Sequence, residues 1–200
     1  ALSKLLYDNK TFPNAFPAPL ILAWLCDMTD AIKYIHSKKT KHRDIKAQNF
    51  LVFPMFRLKM ADFGIAKTHG NNNGATTTYA GTPGFIAPEI SLSLGSDFAS
   101  DIFSFAVTAI QVMLRKPPDT RFAITSNLER ATNTLSTLDD THKDSLKCIL
   151  SDCLKPDLSV RPKAEILHRK LVNLLSSCGG DPRCEENSGY SNIRNLENML

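Results

Sequence analysis

Apolar residues at Ile21, Leu25, Met28, Ile32 and Ile35 alternate steps of four and three, the spacing that gathers side chains on one helix face. The pattern predicts an amphipathic helix over roughly residues 20 to 38, entered through a proline-rich connection with Pro13, Pro17 and Pro19. Trp24, on this periodic stretch, is assigned to the core or an interface rather than to a ligand platform. A short helix is predicted ahead of it, over Leu2 to Tyr7. Two apolar runs, Phe50 to Phe53 and Leu58 to Ala61, flank Pro54-Met55-Phe56-Arg57 and read as paired strands. From Phe98 to Leu114 nearly every side is apolar, which predicts a buried central helix ended at Lys116-Pro117-Pro118. Further helices are predicted over roughly 140 to 154 and 162 to 175, with Pro162 in the first turn of the second.

The remaining segments are polar. Between Gly64 and Ala87 the runs Asn71-Asn72-Asn73-Gly74 and Thr76-Thr77-Thr78-Tyr79 cannot bury themselves, so a long loop is expected there. From Cys178 onward, Gly179-Gly180-Asp181-Pro182 breaks the periodicity. Residues 178–200 are therefore expected to be a tail or linker, with Ile193, Leu196 and Leu200 giving only a weak helical spacing. There is no internal repeat and no second core. The expected architecture is mainly α: one domain over residues 1–177, a helix bundle with a small β-hairpin at its active edge.

Composition narrows the function classes. With 42% hydrophobic and 22% charged residues, the 200-residue chain falls among ordinary globular domains rather than disordered ones. Much of the net charge of +4 comes from Lys38, Lys39, Lys41, Arg43 and Lys46. No aromatic residues interleave with that run, so it reads as a solvated turn leading into a phosphate-handling loop, and not as a nucleic-acid surface. Five cysteines without C-x-x-C spacing imply free thiols in a reducing compartment, hence a cytoplasmic chain. No stretch approaches eighteen apolar residues and no signal pattern opens the chain, which disfavours membrane insertion and secretion. His36, His69, His142 and His168 show no metal-ligand grouping and are assigned to surface or helix-capping positions. Oligomeric state has no signal in the sequence.

The candidate chemistry lies between residues 42 and 89. His42-Arg43-Asp44-Ile45-Lys46-Ala47-Gln48-Asn49 holds a candidate base in Asp44 and a hard oxygen donor in Asn49; Asp62-Phe63-Gly64 adds a second donor in Asp62. The first segment fits the pattern H-R-D-x-x-x-x-N at all four defining positions, and Gly81-Thr82-Pro83-Gly84-Phe85-Ile86-Ala87-Pro88-Glu89 supplies an A-P-E element after the D-F-G. With three motifs in this order and spacing, the chain resembles the eukaryotic protein kinase family, over residues 1–177 and as a C-terminal lobe only.

The resemblance implies ATP and Mg²⁺ as cofactors and proteins as substrates. Asp44 then orients the substrate hydroxyl and takes its proton late, which an aspartate with an ordinary pKa near ~4 does better than it abstracts a proton outright. Lys46 places charge on the transferring phosphoryl group, Asn49 and Asp62 hold magnesium, and Leu51 closes beneath the adenine ring. His42 and Phe63 belong to a packed spine behind the metal site, Asp101 anchors the catalytic-loop backbone, and Glu89 pairs with Arg161. Lys46 together with Thr82 resembles serine/threonine rather than tyrosine kinases, with Thr82 bonding toward Asp44 and Lys46. Arg43 before the aspartate implies a regulatory contact with a phosphorylated Thr78.

The resemblance has gaps. No G-x-G-x-x-G occurs. Ala31-Ile32-Lys33 imitates the V-A-I-K lysine motif but lies on the helix before the catalytic loop, with Asp30 in place of valine, and is a decoy. The N-terminal lobe is expected to lie outside this sequence, and the chain alone is expected to bind nucleotide poorly. Lys41 stands where the family buries an apolar side chain, and Phe103 and Ala106 replace the usual tryptophan and glycine of the central helix. Two other readings compete with a kinase. A pseudokinase or truncated scaffold is kept in view by the absent small lobe, and a small-molecule phosphotransferase is disfavoured by the A-P-E element.

Overall fold

The computed structural model describes residues 1–62, 81–93, 95–117, 119–120, 123–184 and 190–198, with backbone alone at 67–68, 190 and 192. Its fold is a kinase-like C-terminal lobe, mainly helical. Helix α1 (Leu2–Tyr7) leads through the prolines to α2 (Ala18–Ser37), which buries Leu22, Trp24, Leu25, Met28 and Ile32 against the core. Pro19 sits in the first turn of α2, where its missing N–H costs nothing.

After α2 come β1 (Thr40–Lys41) and a hairpin of β2 (Phe50–Phe53) and β3 (Arg57–Met60), paired antiparallel from Phe50 opposite Met60 to Phe53 opposite Arg57. The hairpin stands where the apolar runs predict it. A second two-stranded pairing, of β1 with β4 (Lys67–Thr68), does not show in the hydrophobic pattern, because two residues are too few to display a period.

Helix α3 (Pro88–Ser91) begins at the A-P-E proline, and α4 (Phe98–Leu114) forms the centre of the lobe. Asp97 and Ser100 close a reciprocal capping box at its start. Its end falls at Arg115, in a left-handed conformation at φ 53°, just before the predicted breaker. The Arg115 guanidinium then donates to the carbonyls of Leu6 and Asn14, which ties α4 to α1.

Against α4 pack α5 (Ile124–Asn133) and α6 (Asp140–Cys153), while α7 (Ala164–Ser177) lies along α2 and against α6. Helix α5 is not foreseen by the apolar pattern, since Leu128 and Ala131 bury themselves among polar residues and Asn127 and Thr132 are buried with them. Helix α7 begins at Ala164 with Lys163 as its N-cap residue, so Pro162 fixes the approach to the helix rather than occupying its first turn.

The segment expected as a tail carries α8 (Tyr190–Glu197) and packs back on the lobe: Ile193 joins the core cluster and Arg183 is buried. All five cysteines are free thiols. Among the described residues no helix is long and apolar enough to cross a membrane.

Candidate active site

The catalytic loop has no regular structure before a single 3-10 turn at Ala47–Asn49, and its backbone polar groups need partners because it is largely buried. Helix α4 supplies them. Asp101, 1% exposed, accepts from the backbone N–H of His42 (2.9 Å) and of Arg43 (2.8 Å), one bond on each carboxylate oxygen. About two turns further along, Thr108 Oγ1 donates to the Ile45 carbonyl (3.1 Å), and Gln111 Oε1 accepts from Ala47 N–H (3.1 Å). Ser100, Ser104, Thr108 and Gln111 form a buried polar stripe at helical spacing on an otherwise apolar helix. The stripe is visible in the sequence once the apolar face is set aside, and it is the signal that would have found Thr108 and Gln111.

His36 is a third partner of Asp101. Its Nε2 lies 2.9 Å from Asp101 Oδ2, so this histidine belongs to the loop's anchorage and is not a surface or capping residue. His142 lies in the first turn of α6 against Asp139, His168 is partly buried beside Thr29, and His69 lies outside the described residues. Lys41 is also buried. Its ammonium donates to the Ser96 carbonyl (2.8 Å) and lies 5.9 Å from the centre of the Phe98 ring, so the stem fills the place of an apolar side chain while the charge finds an acceptor.

Asp44 stands at the centre of the site with four donors around it. Oδ1 accepts from Thr82 Oγ1 (2.7 Å) and Thr82 N–H (3.1 Å); Oδ2 accepts from Lys46 Nζ (2.6 Å) and Asn49 Nδ2 (3.1 Å). Lys46 also donates to Thr82 Oγ1 at 2.6 Å, which closes a triangle of Asp44, Lys46 and Thr82. Burial opposes ionisation of Asp44, but hydrogen bonds from Lys46 and Thr82 and the Lys46 charge outweigh it and hold the carboxyl below its ordinary value. The group is thus an anion at neutral pH.

Thr82 can reach Asp44 because the chain before it passes close to the catalytic loop. At Gly81, with φ 133°, an added Cβ would lie 3.2 Å from the Arg43 carbonyl oxygen, so a side chain there would push the two segments apart. Arg43 itself has a left-handed backbone at φ 71°. Its Nε is buried without a hydrogen-bond partner among the described residues.

Asn49 Nδ2 also donates to the Asp44 carbonyl (2.7 Å), which leaves the amide oxygen as its remaining hard donor. Ala61 N–H donates to the Asn49 carbonyl (2.8 Å), so Asn49 and Asp62 are brought to the same end of the β2–β3 hairpin. Asp62 is exposed and has φ 60°. Two hard oxygen donors from the protein fit magnesium, which takes one or two side chains and fills its octahedron with water and nucleotide phosphates. Leu51 lies on the open face of the hairpin, 42% exposed, with Phe53 beside it at 40%. His42, fully buried, lies 3.1 Å through Nε2 from the Ala61 carbonyl, behind Asp62. Phe63 and Thr78 lie outside the described residues. Lys33, on α2, pairs with Asp30 at the surface.

Away from the reaction centre, Glu89 and Arg161 form a bidentate pair at 2.9 and 3.0 Å, with side chains 5% and 0% exposed. Ser100 Oγ adds a hydrogen bond to Glu89 (2.6 Å), and the Arg161 guanidinium lies 5.1 Å from the centre of the Phe103 ring. The residue that replaces the family's tryptophan therefore keeps an aromatic face on this ion pair.

A loop held on a buried helix, an anionic aspartate closed by lysine and threonine, and two oxygen donors at one hairpin end thus lie at one edge of the lobe. The family model described as the protein kinase domain matches residues 2–172, and the chain belongs to the protein kinase family. It is 32% identical over 170 residues to mitogen-activated protein kinase kinase kinase 3 of Arabidopsis thaliana, covering 84% of this chain and 27% of that protein. It is 30% identical over 176 residues to the probable serine/threonine-protein kinase kinX of Dictyostelium discoideum, covering 86% of this chain and 15% of the relative. Against mitogen-activated protein kinase kinase kinase YODA of Arabidopsis thaliana the identity is 33% over 175 residues, with 83% and 20% covered. The chain thus spans roughly a quarter or less of these relatives' length.

Proposed function

We propose that this chain is the catalytic lobe of a protein serine/threonine kinase, which transfers the γ-phosphate of ATP to serine and threonine hydroxyls of protein substrates. The observation that carries the reading is the closed triangle of Asp44, Lys46 and Thr82. Magnesium, held by Asn49 and Asp62 together with the nucleotide, supplies positive charge at the phosphate oxygens.

In this reading the four donors fill all the acceptor positions of Asp44, so a substrate hydroxyl enters only when one of them leaves. Lys46 is the one with somewhere to go, since the transferring phosphoryl group draws its ammonium away from Oδ2. The freed oxygen then accepts from the hydroxyl. As the new oxygen–phosphorus bond forms and the bond to the departing ADP breaks, the hydroxyl proton passes to Asp44. Thr82 stays on Oδ1 throughout and keeps the carboxylate in one rotamer. Leu51, on the exposed hairpin face, is the floor for the adenine ring.

The reading is tested in a polypeptide that joins this chain to a nucleotide-binding N-terminal lobe. Incubation with labelled ATP, magnesium and a mixed protein substrate is expected to give phosphoserine and phosphothreonine. Phosphotyrosine alone, or no protein-bound label, would overturn it. The Nε of Arg43, buried and without a partner among the described residues, supports a regulatory contact with phosphorylated Thr78. In the same assay Thr78→Ala is then expected to lower transfer to about a tenth or less, the loss of a charge-assisted phosphate contact. Full activity in that variant would remove Thr78 from the scheme.

A further inference from the structure

The β2–β3 hairpin is short, and one of its faces carries the exposed Leu51 and Phe53. A two-stranded hairpin of this size has little stability of its own. Its turn is strained as well: Met55 and Phe56 both have left-handed backbones, at φ 56° and 55°. Consecutive non-glycine residues persist in that conformation only when the surroundings hold them there.

The surroundings are α2 and the C-terminal segment together. The Arg183 side chain, 1% exposed, pairs bidentately with Asp27 (2.6 and 2.9 Å) and with Asp181 (2.8 and 2.9 Å). Asp27 also accepts from Leu58 N–H of β3 (2.8 Å), and Asp181 accepts from Arg57 (3.1 Å). Trp24 Nε1 donates to the Phe56 carbonyl at 2.8 Å, with Arg183 at the edge of the same oxygen at 3.4 Å. On α8, Glu197 accepts from Met55 N–H, while Ile193 is 1% exposed in the core. Burial alone would lower the Arg183 pKa, but hydrogen bonds to Asp181 and Asp27 reverse this and raise it, so the guanidinium is a permanent cation.

We infer that Asp181, Arg183 and Glu197 are positioning residues, which clamp the turn of the hairpin and thereby fix its opposite end, where Asn49 and Asp62 stand. The clamp reaches the site through the four ladder pairs from Phe53–Arg57 to Phe50–Met60 and the Ala61-to-Asn49 hydrogen bond. That Asn49 and Asp62 serve magnesium rests on the function proposed above; the clamp does not.

Two variants of the chain test it by residue-resolved hydrogen exchange. Arg183→Met is expected to speed exchange of the Leu58 and Ala61 amides about tenfold or more while Ile110 in α4 stays unchanged, the mark of local opening. Because that variant leaves two carboxylates without their cation, Glu197→Ala is measured beside it. It removes no buried cation and is expected to move the same amides in the same direction by a smaller factor. Equal acceleration at Ile110 in both variants would make the effect global unfolding and overturn the proposal, as would an unchanged Ala61 amide. In the joined polypeptide, Arg183→Met is expected to raise the magnesium concentration for half-maximal transfer about threefold, with the KM for protein substrate unchanged, as for looser metal-site positioning. An unchanged magnesium midpoint overturns the link to the site. If the wild type transfers no phosphate, the proposed function fails while the exchange result still decides the clamp.

Discussion

Asp44→Asn is expected to slow phosphate transfer by about 10²- to 10⁴-fold at saturating ATP, the range set by loss of a positioned base. The substitution keeps the shape of the side chain and changes what its second oxygen position can do. Thr82 donates twice to Oδ1, whereas Lys46 and Asn49 both donate to Oδ2. Asparagine has one acceptor oxygen and one donor group, so its NH₂ must face either Thr82 or the Lys46–Asn49 pair, donor against donor. Lys46 loses its anionic partner in the resting site, and the incoming hydroxyl loses its acceptor. The KM for ATP is expected to change far less than kcat, because Asp62 and Leu51 are unaltered and Asn49 keeps its bond to the backbone carbonyl of residue 44. Single-turnover transfer with both forms is the measurement. A rate within about twofold of the wild type, far short of such a factor, would remove Asp44 from the role given to it.

Arg161→Met is expected to lower the free energy of unfolding by about 3 to 5 kcal/mol, the cost of leaving a buried charge without its partner. The Glu89 carboxylate is 5% exposed and, among the described residues, would keep Ser100 alone as a side-chain donor. Three backbone carbonyls, of Ala99, Lys155 and Pro156, would also lose the guanidinium that now donates to them. Urea titration reads the loss, and Glu89→Met combined with Arg161→Met is expected to recover much of it, since the uncompensated charge is then gone. A pH series separates the charge from the packing. In the wild type burial raises the Glu89 pKa, but the hydrogen bonds and charge of Arg161 and the Ser100 bond outweigh it and keep it below 4.5. The pair's contribution is therefore fully present above the unfolded value and is lost as pH falls through the lowered folded value. In Arg161→Met the burial effect stands largely alone, so the carboxyl takes up its proton more readily. The two proteins are expected to converge in stability below about pH 4.5. A constant gap down to pH 3 would show that packing, not charge, accounts for the loss.

What the sequence discloses here is what is local. His42 to Asn49 and Gly81 to Glu89 are contiguous runs, so their chemistry can be read before any fold is known. The α2 and α4 helices repeat their apolar residues often enough to be placed within a few positions. The parts that stay hidden are pairings across distance with no period to betray them. Arg183 meets Asp27 across 156 residues, and the glycines before it read as a break into solvent, not as the bend that lets the chain return. His36 resembles any polar residue near a helix end until Asp101 is beside it. Helix α5 is obscured for another reason: it buries Asn127, whose amide donates to the Asp119 carbonyl, where a hydropathy pattern expects solvent.

The buried stripe on α4 also sets how this lobe can change length. Asp101, Thr108 and Gln111 meet three successive points of the catalytic loop, so the loop is measured against a rod of fixed pitch. One residue inserted between Asp101 and Thr108 would turn everything beyond it by about 100° and carry Thr108 and Gln111 away from Ile45 and Ala47. The spacing inside α4 is thus a ruler graduated in helical turns, and insertions can accumulate only in segments that the loop does not use as its scale.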